Sequence, residues 1–223
     1  MKQFSNIISW IFIPLFMPIY GLLIAMYVPT ISKSSLLQQY NFYDMPNQNK
    51  IHILLLFIIL IVLAPGFSLM MMKRQNRIAD LQIDNRKERT YPIVVTAIYG
   101  LILGVFLWTQ IPKDVISPLL SALPWAGVLS GGIAVVINRY EKISLHGIGA
   151  GMLFGFILVY YQLQSHFNLF VLLGVIILGG IILTSRMYLE KHSLREALSG
   201  YLLGFFSTFL VLKLFTIYLP QIN

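Results

Sequence analysis

The sequence contains no cysteine and few charged residues. None of its 223 residues is cysteine, and only 11% are charged. The absence of cysteine excludes disulfide bonds, thiolate metal sites and a cysteine nucleophile. A soluble domain carries roughly 25% charged residues, whereas this chain is 57% hydrophobic with a mean hydropathy of +0.78. The composition therefore predicts an integral membrane protein.

Acidic residues are especially scarce. The chain has 8 acidic against 16 basic residues, which gives a formal net charge of +8. Such an excess favours contact with anionic lipid headgroups or phosphorylated substrates. Binding to nucleic acid is not expected, because no part of the sequence forms a separate basic soluble module.

Long apolar runs occupy most of the chain. A helix needs about 20 apolar residues to cross the hydrocarbon core of a membrane. Seven segments qualify, and they are residues 5–28, 51–72, 93–111, 116–138, 146–163, 167–184 and 197–218. We therefore expect an all-α, polytopic membrane helix bundle of six to seven transmembrane helices, forming a single domain over residues 1–223.

Three of the polar connectors are rich in charge. They cover residues 73–92, 139–144 and 185–196. Two predicted helices separate each connector from the next, so all three are expected on one face of the membrane, where they can converge on one pocket. The later helices are rich in glycine, as in "HGIGAGMLFG" and "SGYLLG", which predicts close helix packing.

The third connector carries a histidine with a carboxylate four residues later. On a helix His192 and Glu196 would share one face. Glu196 could then accept the proton of one ring nitrogen and leave the other free to attack phosphorus. Arg186, just upstream, suits a phosphate because its planar guanidinium binds phosphate through two hydrogen bonds. The alternative is a solvated helix end with an incidental contact.

The other two connectors supply groups of the same chemistry. Ser144 and His146 lie at the start of the fifth predicted helix, where the histidine could protonate a leaving oxygen. The serine hydroxyl and the helix N-terminal amides would favour an anion there. Lys87 and Arg89 add positive charge in the first connector. Alternatively, these residues are an interfacial histidine and an ordinary basic loop.

Taken together, the three connectors resemble the type 2 phosphatidic acid phosphatase family. That family has the patterns K-x6-R-P, P-S-G-H and S-R-x5-H-x3-D. The third pattern is matched by Ser185, Arg186, His192 and Glu196, the second by Ser144 and His146, and the first more loosely by Arg89 and Pro92. The resemblance covers about residues 84–204.

The resemblance implies a phosphatase core over about residues 73–218, preceded by one or two further helices. It implies that His192 is a nucleophile that forms a phosphohistidine, that Glu196 orients it, and that His146 is the general acid. The phosphate-binding residues would be Arg186, Arg89, Lys87, Ser144 and Ser185. No metal or other cofactor is implied, and the substrate would be a lipid phosphate or a polyprenyl diphosphate.

Two other interpretations remain open. Asn76, Asp80 and Asp84 have the spacing N-x3-D-x3-D, which is similar to the first motif of UbiA-type prenyltransferases, whose carboxylates hold Mg²⁺. The second aspartate-rich motif of those enzymes has no counterpart after residue 114. The other interpretation is a non-enzymatic relative of the phosphatases that binds or transports a lipid phosphate.

Basic residues also predict an orientation. Twelve of the 16 basic residues fall on the face of the three connectors. Short cytoplasmic loops collect lysine and arginine, so the count places these connectors on the cytoplasmic side, in a membrane expected to be a bacterial inner membrane. The family resemblance favours the outer face instead. The sequence leaves the oligomeric state open.

Overall fold

Helices form nearly all of the part of the chain that the structure describes. The computed structural model describes residues 1–33, 41–81, 83, 85–111 and 117–218. Its helices are α1 (Lys2–Ile11), α2 (Met17–Tyr27), α3 (Asn47–Phe57), α4 (Ala64–Arg74), α5 (Thr90–Gln110), α6 (Pro118–Tyr140), α7 (Leu145–Gln162), α8 (Leu169–Tyr188) and α9 (Leu194–Tyr218). A π-helical turn, Ile58–Leu63, joins α3 to α4, and 3-10 turns cover Pro14–Phe16 and Arg86–Glu88.

The described helices are long and apolar enough for a membrane bundle. Six continuous spans pass the test of length and hydropathy, and they are Asn47–Arg74, Arg86–Gln110, Pro118–Tyr140, Leu145–Gln162, Leu169–Tyr188 and Leu194–Ile217. A bent pair, Lys2–Ile11 with Pro14–Tyr27, supplies the seventh when it is taken as one span. The prediction of an all-α polytopic bundle with six to seven transmembrane helices is confirmed.

The first apolar run differs from the single helix predicted over residues 5–28. Helix α1 ends at Ile11, and the chain bends by 45° before the helical segment that begins at Pro14. Proline lacks the N–H that would continue the helical hydrogen bonds, and it disfavours helical geometry in the residue before it. As a result α1 packs against α8, whereas α2 packs against α7.

Two short strands mark the end of the bundle opposite the charged connectors. Strand β1 (Ile31–Ser32) pairs antiparallel with β2 (Gln164–His166), with Ile31 opposite His166. Because α7 has 18 residues, its two ends lie about 27 Å apart. The connector before α7 and the connector after it therefore lie at opposite ends of the bundle, as the alternation of helices predicts.

Glycines bring α7 and α9 into close parallel contact. The close approaches involve Gly147, Gly151 and Gly155 of α7 with Gly200 and Gly204 of α9. A Cβ atom added to Gly147 would lie 2.6 Å from the carbonyl oxygen of Ala197, and one added to Gly200 would lie 2.5 Å from that of Ser144. The predicted packing role of these glycines is confirmed, and it sets the first turns of α7 and α9 side by side.

Candidate active site

The three charged connectors meet at one end of the bundle. A terminal nitrogen of Arg89 donates to the carbonyl oxygen of Ile143 at 2.6 Å, which ties the first connector to the second. The Nζ of Lys142 donates to the carbonyl oxygen of Lys191 at 2.7 Å, which ties the second to the third. The predicted convergence is therefore confirmed by direct hydrogen bonds.

A tight turn after α8 returns the chain toward the site. Glu190 has a positive φ of 55°. The N–H of Glu190 donates to the carbonyl oxygen of Met187 at 2.9 Å, and the N–H of Lys191 donates to the carbonyl oxygen of Arg186 at 3.1 Å. This pair of bonds is the Schellman arrangement that ends many helices. It satisfies the last carbonyl groups of α8 and turns the chain so that His192 follows within two residues.

Helix α9 begins with a capping box. The Ser193 hydroxyl accepts the N–H of Glu196 at 3.3 Å, and the Glu196 carboxylate accepts the N–H of Ser193 at 3.2 Å. This reciprocal pair satisfies two N–H groups at a helix start. His192 therefore lies before the helix and not on its face, so the predicted helical geometry was wrong although the predicted contact with Glu196 is present.

His192 is oriented by the carboxylate of Glu196. Its Nδ1 lies 3.0 Å from Oε2 of Glu196, and the residue is only 6% exposed. A carboxylate of this kind accepts hydrogen bonds, so Nδ1 carries the proton and Nε2 carries the lone pair. This arrangement fixes the tautomer that a nucleophilic histidine needs.

Burial and nearby positive charge keep His192 neutral. Loss of water contact lowers the pKa of His192 most, and Arg89, Lys142, Arg186 and His146 lower it further, to about 2. At neutral pH the imidazole is therefore unprotonated at Nε2, and the contact with Glu196 is a hydrogen bond from a neutral ring.

Two buried arginines and a lysine make the site strongly positive. Arg89 and Arg186 are each 1% exposed, and Lys142 is partly buried. The Nε of Arg89 also donates to the carbonyl oxygen of Ile83 at 2.7 Å, so this arginine holds the first connector in place as well as contributing charge. Buried cations favour an anionic ligand, and guanidinium groups suit the oxygens of a phosphate.

His146 and Ser144 form the first turn of α7. The Ser144 hydroxyl caps the helix by accepting the N–H of Gly147 at 3.1 Å. The N–H of Ser144 donates to the carbonyl oxygen of Glu196 at 3.1 Å, which joins this turn to α9. The Nε2 of His146 lies 3.0 Å from the carbonyl oxygen of Ser9 in α1. Since a carbonyl only accepts, Nε2 of His146 carries a proton.

The remaining predicted residues lie in different environments. Ser185 is buried in α8, whereas the side chain of Lys87 is exposed in the 3-10 turn. Lys142, rather than Lys87, is the lysine whose charge acts on His192. The sequence offered one signal for Lys142, namely its position two residues before Ser144 in the second connector.

An apolar cavity of about 370 Å³ extends from His146 into the bundle. Its walls come from helices α1 to α7 and the π-helical turn, and they include Phe57, Pro92, Leu123, Met152 and Phe156. Ser9 and His146 are among the polar residues of this lining. We call this cavity the chamber. Of the site residues, His146 lines the chamber, whereas His192, Arg89 and Arg186 do not. The mainly apolar lining suits hydrocarbon.

The described residues include no group of three histidine or acidic side chains placed to hold a metal ion. In the alternative aspartate-containing motif, Asp80 accepts the N–H of Ile83 at 2.8 Å and so closes a turn. Asp84, the last residue of that motif, lies outside the part of the chain that the structure describes.

The low pKa of His192 predicts that acid destabilises the protein. In the unfolded chain a histidine takes up a proton near pH 6.5, whereas folded His192 stays neutral down to about pH 2. Between these values the unfolded state binds more protons, so this stability is complete above pH 6.5 and is lost as the pH falls below it. We expect the thermal unfolding midpoint to fall more steeply from pH 7 to pH 4.5 in the wild type than in His192→Gln. Parallel curves would contradict this assignment.

The fold and the site together define a multi-pass membrane protein with a buried histidine and arginine cluster at one end of its helix bundle. Comparison with protein-family models, with curated proteins and with solved structures found no match to this chain. The similarity to the type 2 phosphatidic acid phosphatases therefore stays a prediction from the spacing of the motif residues.

Proposed function

We propose that the protein is a membrane phosphatase that hydrolyses a lipid phosphate or diphosphate through a phosphohistidine intermediate, without a metal ion. The observation that carries the proposal is the environment of His192. Its Nδ1 is held by Glu196 at 3.0 Å, and its neutral Nε2 lies in the field of Arg89, Lys142 and Arg186. A nucleophile, an orienting carboxylate and phosphate-binding cations are thereby brought together.

In the first step Nε2 of His192 attacks the phosphorus atom of the bound phosphate. A P–N bond forms while the bond from phosphorus to the lipid oxygen breaks. His146 transfers a proton from Nδ1 to that oxygen, since its Nε2 proton is held by the carbonyl oxygen of Ser9. The guanidinium groups of Arg89 and Arg186 stabilise the charge on the remaining phosphate oxygens. Glu196 stabilises the positive charge that develops on the imidazole ring.

In the second step water attacks the phosphohistidine. His146, now without that proton, takes one from the water, and the P–N bond breaks as the new P–O bond forms. Inorganic phosphate leaves, and Nε2 of His192 regains its lone pair. Both steps use the same residues because the second reverses the proton transfer of the first.

The chamber supports a lipid as the substrate. His146 is part of its lining, and most of the other lining side chains are apolar. A phosphate bound beside His192 would leave the attached hydrocarbon in this space, where it is removed from water. Water-soluble phosphate esters have no hydrocarbon to bury in the chamber, so we expect the protein to hydrolyse them slowly.

We also propose on which side of the membrane the site lies. The charged connectors carry most of the basic residues, and such loops face the cytoplasm in bacterial inner membranes. We therefore place the site at the cytoplasmic surface of that membrane. Labelling of a single cysteine introduced at exposed Lys87, in intact cells and in inverted vesicles, distinguishes this orientation from its reverse, because the sequence contains no other cysteine.

The proposed function is tested by phosphate release from lipids. Detergent-purified protein is incubated with phosphatidic acid, phosphatidylglycerol phosphate, a polyprenyl diphosphate and a single-chain alkyl phosphate, each with a chelator. The proposal predicts release from at least one lipid in the presence of chelator. Release from none of them would contradict it. Transfer of a prenyl group that requires added Mg²⁺ would support the transferase interpretation.

The two roles of Glu196 can be separated by substitution. Ser193→Ala removes one half of the capping box but leaves the Glu196 carboxylate on His192, so we expect a stability loss of about 1 kcal/mol and little change in rate. Glu196→Gln removes the charge that stabilises the imidazole, and we expect kcat to fall about 10³-fold or more. Thermal unfolding and phosphate release measure the two effects. If both variants lose the same amount of rate, Glu196 acts only as part of the helix cap and does not assist the reaction.

A further inference from the structure

Helix α1 presents serines to the protein and apolar side chains to its surroundings. Ser5 and Ser9 are buried at 4% and 2% exposure, whereas Phe4, Ile7 and Trp10 are each more than half exposed. A helix on a soluble protein has the opposite polarity, with its apolar stripe inward. The arrangement fits a helix that meets lipid on the outside and a polar site on the inside.

Ser9 contacts the site through its main chain. Its carbonyl oxygen accepts the proton of His146 Nε2 at 3.0 Å. Its hydroxyl is buried, and among the residues that the structure describes it has no hydrogen-bond partner. A buried hydroxyl without a partner is unfavourable, so a ligand that supplies the partner is favoured at this position. Ser9 also lines the chamber.

The chamber is large enough to hold hydrocarbon. Its volume is about 370 Å³, and a water-sized group occupies roughly 30 Å³. The chamber therefore holds on the order of a dozen groups of this size, and methylene groups are comparable. That is enough for one hydrocarbon chain of moderate length.

We propose that α1 completes the binding site for a lipid that has a phosphate headgroup, one hydrocarbon chain of which lies in the chamber. The Ser9 hydroxyl donates a hydrogen bond to an oxygen of that headgroup, next to His146, and the chain fills the chamber. The hydrolysis of this ligand rests on the proposed function, whereas its binding does not.

The test measures binding without turnover. Affinity for a non-hydrolysable single-chain alkyl phosphonate in detergent is measured by calorimetry for wild type, Ser9→Ala and Ser5→Ala. Ser5 is the matched control, because it is a buried serine one helical turn away on the same helix and does not line the chamber. We expect Ser9→Ala to weaken binding about tenfold, as loss of a hydrogen bond to a charged group does, and Ser5→Ala to stay within about twofold.

A second pair of variants tests whether the hydrocarbon chain of the lipid lies in the chamber. Gly66 lines the chamber, and a Cβ added there meets nothing within 4 Å, as is also true at Gly132, which lies outside the chamber. We expect Gly66→Leu to weaken binding of long-chain phosphonates more than that of short-chain ones, and Gly132→Leu to affect neither.

Each outcome decides the proposal. Equal binding by Ser9→Ala and Ser5→Ala would overturn the role of the hydroxyl. Binding of no phosphonate at all would overturn the site, and equal weakening of long-chain and short-chain binding by Gly66→Leu would overturn the place of the chain. Phosphonate binding with the expected pattern, but without phosphate release from any lipid, would instead overturn the phosphatase and leave a lipid-phosphate binder.

Discussion

Replacing His192 by glutamine is expected to abolish phosphate release while leaving the fold in place. The variant has no ring nitrogen to attack phosphorus, and loss of a catalytic nucleophile typically lowers kcat by more than about 10⁴-fold. Glutamine has a similar size and retains an N–H group that can donate to Glu196, so we expect the helix start at Leu194 to form normally. Phosphate release and thermal unfolding are measured on the same preparation.

The control for this variant is another histidine of the chain. His166 is exposed in β2, at the end of the bundle opposite the site, and His166→Gln is expected to retain full activity. Release that survives in His192→Gln would exclude His192 as the nucleophile. Loss of release in both variants would show that the effect comes from the fold rather than from the chemistry.

Replacing Gly151 by alanine is expected to be the most damaging single change to the bundle. A Cβ at this position would overlap the carbonyl oxygen of Tyr201 and lie 2.8 Å from the backbone nitrogen of Phe205. Backbone atoms of a neighbouring helix cannot move aside as a side chain can. We expect the free energy of unfolding to fall by about 3 kcal/mol, at the upper end of the usual cost of overpacking.

The same substitution should also reduce activity, because α7 and α9 carry His146 and Glu196 in their first turns. Gly132→Ala is the matched control, since a Cβ at Gly132 meets nothing within 4 Å. Denaturant titration in detergent and phosphate release are measured for both variants. A Gly151→Ala protein as stable as Gly132→Ala would contradict the close helix contact.

Hydropathy and the alternation of connectors predicted most of the architecture. Long apolar runs leave a chain few options in lipid, because each backbone polar group must be satisfied within a helix. The break at Pro14 is the main difference. Proline signals that a helix can end or bend. It does not predict that α1 packs mainly against α8 while α2 packs against α7.

The sequence predicted the contact between His192 and Glu196, but it did not predict the local backbone structure that makes this contact. The spacing of His192 and Glu196 indicated their hydrogen bond, but a contact at i,i+4 fits both a helix face and a capping box. The choice depends on Ser193, which serves as the N-cap. The capping-box pattern was readable in the sequence and would have placed His192 before the helix.

Lys142 and Ser9 could not be assigned from spacing alone. The charge of Lys142 reaches His192 because the second and third connectors fold against each other. Ser9 reaches His146 across 137 positions of sequence. Contacts of this kind depend on how helices are arranged in space, which no local pattern records. Conversely, Lys87 was expected to bind phosphate, but its side chain is exposed.

The most direct test of the account is the detection of phosphate on His192 itself. The protein is mixed with the lipid phosphate that gives the fastest release, quenched in alkali within milliseconds to seconds, digested and analysed by mass spectrometry. The account predicts a phosphorylated peptide containing His192 that is stable in alkali, loses phosphate in acid and is absent from His192→Gln. Phosphate release without this peptide, or with phosphate on another residue, would contradict the mechanism.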